Sequence, residues 1–286
     1  MRVGDLHAAE RASAVTFLDG DRRSRRVDEP EVEPRPAAAS RRWIDRMSYF
    51  LSVDPDGCWV ATEGDGGEIV GFAISQNRGR LWFLATYGVV PSHQGQGTGK
   101  RLMDAVLAHA GGRPGIFSST THPGATRRYR LAGFSLLPQM RMVGTVDRSR
   151  LPAITGLRDG HAGDVEWMNR LDHDLRGAGH GPDHGYMLRT LRLVVSADRN
   201  EPGYVYIDER GRPSLLAAAQ PATAATLLWE ALAASHGATL VNCITTANEW
   251  AIDVGLAARL DIGQEGYLAL RDMPEPAPYL ASGHFL

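Results

Sequence analysis

The stretch Val89-Val90-Pro91-Ser92-His93-Gln94-Gly95-Gln96-Gly97-Thr98-Gly99-Lys100-Arg101-Leu102-Met103 decides how this sequence is read. An apolar run over 81–90 predicts a strand, and Pro91 ends it. The glycines of Gln94-Gly95-Gln96-Gly97-Thr98-Gly99 predict a turn. A helix opens there: Leu102, Val106 and Ala110 share one stripe, with Met103 and Leu107 beside it, and Gly111-Gly112 stop it. A glycine-rich turn between strand and helix is an anion site, because its backbone N–H groups point outward and the helix dipole adds positive charge. Spacing rejects two phosphate loops. A nucleoside-triphosphate loop needs G-x-x-x-x-G-K-[ST], and no hydroxyl follows Lys100. A dinucleotide fingerprint needs G-x-G-x-x-G, and Gly95-Gln96-Gly97-Thr98-Gly99 misses it by one residue.

Outward from this loop, residues 6–18 predict a first helix. The stretch 20–39, charged and holding Pro30, Pro34 and Pro36, predicts a loop. Trp43, Ile44, Met47, Phe50 and Leu51 keep helical spacing. Strands are expected over 58–62 and 69–75, joined by the turn Gly64-Asp65-Gly66-Gly67. Beyond the loop come a strand (116–119), a helix (125–132) and further strands (134–146). The order α, β, β, β, α, β, α, β predicts a mixed α/β layer fold.

After a junction at 147–152 the order recurs. Helices are expected over 161–175, 221–235 and 248–258. Strands are expected over 193–196, 204–208, 214–219, 240–244 and 267–271, with a Gly/His loop at 176–185. The recurrence implies an internal duplication, with one domain over 1–147 and a second over 152–286.

Composition excludes several classes of partner. The 286 residues hold 31 Lys and Arg against 33 Asp and Glu, a formal net charge of −2. That balance argues against a nucleic-acid binder. The densest basic run, Arg22, Arg23, Arg25 and Arg26, is followed at once by Asp28, Glu29, Glu31 and Glu33, which reads as a self-neutralising segment. No apolar run approaches the roughly 20 residues of a membrane span, and 1–10 has no signal-peptide core. Cys58 and Cys243 read as free thiols of a reducing cytoplasm. His180 and His184 have i, i+4 spacing, yet Gly181, Pro182 and Gly185 place them in a loop, so no metal site is expected. The only lysine, Lys100, falls at the mouth of the glycine-rich loop, where its ammonium would add a point charge, with Arg101 as the alternative.

The quoted stretch closely resembles the acyl-CoA motif of the GNAT acetyltransferase superfamily, V-x-P, a spacer, then Q/R-x-x-G-x-G/A opening a helix. Gln94, Gly97 and Gly99 fall on its defining positions. Downstream, Ala125-Thr126-Arg127-Arg128-Tyr129-Arg130-Leu131-Ala132-Gly133-Phe134 is similar to the family's A-x-x-x-Y-x-x-x-G-F segment. The resemblance implies an acyl-CoA N-acyltransferase fold and acetyl-CoA as acyl donor, held by Gln94, Gly95, Gln96, Gly97, Thr98, Gly99, Lys100 and Arg101. It implies Tyr129 as general acid and a carbonyl-polarising backbone at Tyr87, Gly88 and Val89. Where the family often has Asn, this chain has His122, and 81–88 holds no carboxylate. The base is therefore open between His122, a residue of the 20–40 loop and the carboxylate of Leu286.

The second half resembles the family in part. Asn248-Glu249-Trp250-Ala251 repeats its N-x-x-A, but Gly255 takes the tyrosine position, and Gln220-Pro221-Ala222-Thr223-Ala224 has no glycine before the long helix. The whole resembles a tandem arrangement with a degenerate C-terminal domain. The expected function is acetyl transfer to the primary amine of a small molecule, by a monomer or homodimer, without metal. A CoA-binding sensor or scaffold without turnover, and a protein or peptide N-acetyltransferase, are the alternatives.

Overall fold

A computed structural model describes every residue except Arg26, Asp28 and Asp65. One member of the basic run, one of the acidic cluster and the second residue of the 64–67 turn thus lie outside the described residues. The chain forms two compact units that do not follow chain order. The first holds Met1–Asn77, Trp82–Arg113 and Thr121–Leu131, and the second holds Arg78–Leu81, Pro114–Thr120 and Ala132–Leu286.

In the first unit, helix α1 (Leu6–Ser24) outruns its expected end, and α2 (Ala37–Val53) begins just after the three prolines. The loop expected over 20–39 therefore shortens to 25–36. Part of the reason is Arg35, which donates to Glu10 Oε1 at 2.9 Å and to Ser13 Oγ at 3.0 Å and lies over the Trp43 ring. The hydrogen bonds tie the linker to α1, and the ring contact sets it against α2. Strand β1 (Cys58–Thr62) pairs antiparallel with β2 (Ile69–Arg78), Cys58 opposite Ile74 and Ala61 opposite Gly71. β3 (Leu81–Val89) lies beside β2, and helices α3 (Thr98–Ala110) and α4 (Pro123–Leu131) follow. Trp82, Phe83, Phe72, Phe50 and Met47 fill the core.

The second unit carries two sheets. One runs β4 (Gly115–Ser119), β11 (Asp261–Arg271), β5 (Ser135–Thr145), β10 (Ala238–Ile244). The other runs β12 (Tyr279–Leu280), β9 (Pro213–Ala218), β8 (Gly203–Ile207), β7 (Arg192–Ser196), β6 (Leu157–Asp159). In the first sheet β11 pairs antiparallel with β4 and with β5, and β10 pairs antiparallel with β5. The recurring halves of the sequence thus exchange strands. Local pattern finds each strand, but only long-range pairing selects its neighbour.

Helices α5 (Val165–Arg176), α6 (Asp183–Thr190), α7 (Pro221–Ala233) and α8 (Trp250–Ala257) complete this unit. α6 corrects the expected loop at 176–185. Pro182 at its N-cap has the φ a helix start needs, so the Gly/Pro cluster initiates a helix here. Leu216, Leu227, Leu228, Val241, Ile244 and Leu280 belong to its core.

Candidate functional site

The loop, strand-end and tyrosine residues expected from the sequence lie in the first unit with His122, whereas Leu286, the other named base candidate, is buried in the second unit, where its backbone oxygen accepts from Arg176 Nη1. β3 ends in the short turn Pro91–His93, and Gln94 Nε2 donates back to the Val89 carbonyl at 3.0 Å, folding the loop onto the strand end. Gly95 (φ 79°) and Gly97 (φ 86°) adopt left-handed backbone that side chains resist. The first helical bond runs from Arg101 N–H to the Gly97 carbonyl at 3.1 Å. Among the described residues the amides of Gly95 to Lys100 have no backbone acceptor. They form a nest of donors at the positive end of α3.

Gly99 is required by a close approach. Tyr87 Oη donates to its carbonyl at 2.9 Å, and a Cβ there would lie 2.6 Å from that same oxygen. Gly88 is likewise a packing glycine, whose Cβ would meet Phe72 Cζ at 2.8 Å and Thr16 Cγ2 at 2.9 Å. The ring of Tyr87 stands edge-on to that of the buried Tyr129 on α4, centroids 6.2 Å apart. Burial pushes Tyr87 up to about 12, with Arg128 opposing the rise and Asp104 adding to it. Burial, then Tyr87, pushes Tyr129 well above the ordinary phenol range. Both hydroxyls therefore stay protonated at neutral pH and act as donors.

The remaining expected residues stand apart from this pair. Lys100 directs its ammonium to Asp104 Oδ2 at 2.5 Å in an exposed i, i+4 pair, and Arg101 is exposed. His122 immediately precedes α4: its carbonyl accepts from Thr126 N–H at 2.9 Å and its Nδ1 from Ala125 N–H at 3.4 Å. With Nδ1 accepting, the ring proton of neutral His122 sits on Nε2.

In the second unit the positions equivalent to the loop and tyrosine are filled by protein. Pro221 offers no N–H, and Thr223 in the first turn of α7 donates to the Glu201 carboxylate at 3.4 Å. A Cβ on Gly255 would lie 2.6 Å from Met142 Cγ, so methionine occupies that space. Asn248 donates to the Thr245 hydroxyl and the Pro276 carbonyl and accepts from Tyr279 N–H at 2.8 Å, which ties down the C-terminal segment.

Sequence spacing missed a buried cluster in this unit. His180 Nδ1 lies 2.8 Å and His184 Nε2 3.2 Å from Asp172 Oδ2, while Tyr204 donates to Asp172 Oδ1 at 2.5 Å. The i, i+4 argument placed both histidines in a loop; His180 does lie in the loop between α5 and α6, but His184 sits on α6, and both meet Asp172 of α5. Two imidazoles and a carboxylate are a donor set that suits zinc. Arg176 sets another arrangement: its Nη1 donates to His180 Nε2 at 2.9 Å, which fixes the proton on Nδ1, facing Asp172. Burial first, then the Arg176 charge, lowers His180 to about 4, so it is neutral at pH 7. The cluster is a buried hydrogen-bond network around one carboxylate and one guanidinium, whose Nη2 has no hydrogen-bond partner among the described residues. In the first unit, His109 similarly bridges Asp54 Oδ1 and Ser75 Oγ, each at 3.0 Å, with Ser75 buried on β2. No local spacing announces either group, because their members come from separate elements.

A glycine nest at a helix N-terminus, with a protonated tyrosine bonded to its first turn, is an arrangement that suits an anionic ligand. The comparisons name its class. Residues 22–134 match the Acetyltransferase (GNAT) family. Mycothiol acetyltransferase of Streptomyces coelicolor is 38% identical over 80 residues, which are 28% of this chain and 26% of that protein. The chain thus spans about a quarter of the length of this curated relative. A Pyrococcus horikoshii protein assigned as an acetyltransferase superposes with a TM-score of 0.75 at 16% identity, covering 100% of this chain and 93% of that one. A tandem GNAT protein from the clavulanic acid biosynthesis pathway superposes with a TM-score of 0.54 at 12% identity, covering 96% of each chain. At these identities the superpositions speak for the fold. Residues 22–134 thus match the GNAT family in sequence, and the chain as a whole shares the fold of these solved structures. No helix among the described residues is long and apolar enough to cross a membrane.

Proposed function

We propose that the protein is an N-acetyltransferase that moves the acetyl group of acetyl-CoA to a primary amine of a small molecule. The observation that carries this reading is the row of unclaimed amides from Gly95 to Lys100 at the start of α3. Such a row suits a pyrophosphate, and backbone supplies most of the charge recognition. Gln94, Gly95, Gln96, Gly97, Thr98 and Gly99 form the cradle. Lys100 and Arg101 are the side chains placed to add charge, and Lys100 would first leave Asp104.

In the reaction the neutral amine nitrogen attacks the thioester carbonyl carbon. The C–N bond forms and the C–S bond breaks. The departing thiolate takes the Tyr129 hydroxyl proton, which solvent restores, and the nitrogen gives up its extra proton to a base. Backbone N–H in the Tyr87–Val89 segment polarises the carbonyl. His122 serves the base role only when Nδ1 releases the Ala125 N–H, because Nε2 carries the proton of the neutral ring. The sequence division into 1–147 and 152–286 belongs to this reading. The first carries the chemistry, and the second, with Glu201 and Met142 in the equivalent places, lends structure. A monomer or homodimer in the cytoplasm fits an acceptor of this size.

The test pairs calorimetry of acetyl-CoA with thiol release across a panel of small amines. Binding with turnover supports the proposal. Binding without turnover supports a sensor or scaffold instead. No binding removes both.

A further inference from the structure

In the β4–β11–β5–β10 sheet two strands are bulged at one level. The β10–β5 register slips between Val241 and Ile244, and the β11–β5 register slips between Gln264 and Tyr267. Both slips face residues 139–141 of β5. The inserted residues are Asn242 and Cys243 on one side, Glu265 and Gly266 on the other. Bulges re-aim side chains and gather beside binding sites. These two are built in: Cys243 holds φ 59° without being glycine, and a Cβ on Gly266 would collide with the Ser119 carbonyl oxygen.

The bulges surround a half-buried carboxylate. Glu265 Oε2 accepts from Cys243 N–H at 3.2 Å, and the Asn242 side chain also bonds to it. Glu265 forms no ion pair among the described residues. Burial raises its carboxyl above the ordinary range, and those hydrogen bonds and the Arg141 charge only partly restore it. Across the same level Arg141 keeps Nε buried with no hydrogen-bond partner among the described residues. The neighbouring Ser118, Gln139 and Cys243 bring no charge. Ser118 donates to Gln139 at 2.8 Å, and burial, then Glu265, pushes the Cys243 thiol up to about 12, so it stays a neutral thiol. An acid and a base thus lie within reach of each other's charge beside the two bulges, without forming an ion pair among the described residues. Each carries a desolvation cost that an oppositely charged ligand group offsets by charge-assisted hydrogen bonding.

We propose that Glu265 and Arg141 form a binding site for a small zwitterion, its ammonium on Glu265 and its anionic end on Arg141. The site lies in the second unit and stands independently of the acetyltransferase reading.

The experiment is calorimetry without CoA. The zwitterions glycine, β-alanine and γ-aminobutyrate are titrated into the wild-type protein, Glu265→Gln and Arg141→Gln, with butylamine and butyrate as singly charged controls. Wild type is expected to bind at least one zwitterion about tenfold more tightly than either control, the weight of one charge-assisted contact. Glu265→Gln keeps an acceptor for Cys243 N–H. It is expected to lose about tenfold on zwitterions and butylamine and nothing on butyrate, and Arg141→Gln the converse. Equal affinities in all three proteins overturn the proposal. So does the absence of zwitterion binding, or of any preference over the controls, in wild type, whatever the variants do. Acetyl-CoA is titrated separately into each protein. Failure there overturns the acetyltransferase reading and leaves the zwitterion result standing on its own.

Discussion

Tyr87 donates its hydroxyl to the carbonyl of Gly99 at 2.9 Å, and this bond couples the end of β3 to the first turn of α3. The glycine nest therefore has a fixed wall. A methyl group on residue 99 would lie 2.6 Å from the tyrosine oxygen. Gly99→Ala is expected to weaken acetyl-CoA by about tenfold in calorimetry, since overpacking of this kind costs about 1–3 kcal/mol. Tyr87→Phe, which leaves room for the methyl group, is expected to restore part of the loss in the double variant.

Tyr129 is a donor across the ordinary pH range because burial holds its proton. Tyr129→Phe is expected to lower kcat by about a hundredfold or more, the usual weight of a positioned acid. The acetyl-CoA dissociation constant should stay unchanged. In wild type, kcat should show no alkaline fall from this group through pH 9. Full activity in the phenylalanine variant removes Tyr129 from the chemistry.

Arg78 grips Asp183 through both Nε (2.8 Å) and Nη2 (2.6 Å), the two residues 5% and 0% exposed. Removing one partner leaves the other charge buried, which costs about 3–5 kcal/mol. Arg78→Met and Asp183→Leu should each destabilise the protein by that order in urea unfolding. The double variant should lose less than either, because it leaves no orphan charge.

His180 gives the stability an acid limb. Its folded pKa, about 4, lies below the unfolded value near 6.5, so folding favours the neutral ring. The unfolded chain binds more protons between those values. The contribution is present in full above pH 6.5 and is lost as pH falls through about 4. Tm should drop across that window in wild type and drop less in His180→Gln. Burial would raise the Asp172 carboxyl, but hydrogen bonds from His180 and His184 and the Arg176 charge hold it below its usual range, which adds a further loss at still lower pH.

Tyr87 gives the opposite limb. Burial raises its phenol to about 12 from near 10, so its contribution is complete below pH 10 and fades as pH climbs toward 12. Tyr87→Phe should flatten the alkaline decline of Tm measured between those pH values.

The sequence by itself determined the local chemistry. Gly95 and Gly97 are demanded by left-handed backbone, Pro91 by the strand end, and the Leu102–Val106–Ala110 stripe by one buried helix face. These are short-range requirements, and they are legible between Val89 and Ala110. Tertiary structure alone decided which distant groups meet. It set β11 between β4 and β5, carried His180 and His184 to Asp172, and faced Glu265 toward Arg141 across two bulges. Strand partners and register are fixed by long-range burial, and a bulge turns a side chain by inserting one residue that no periodicity announces. Gly99 joins the two scales. The motif requires a glycine there, and the physical reason for it, the hydroxyl of Tyr87, comes from another element.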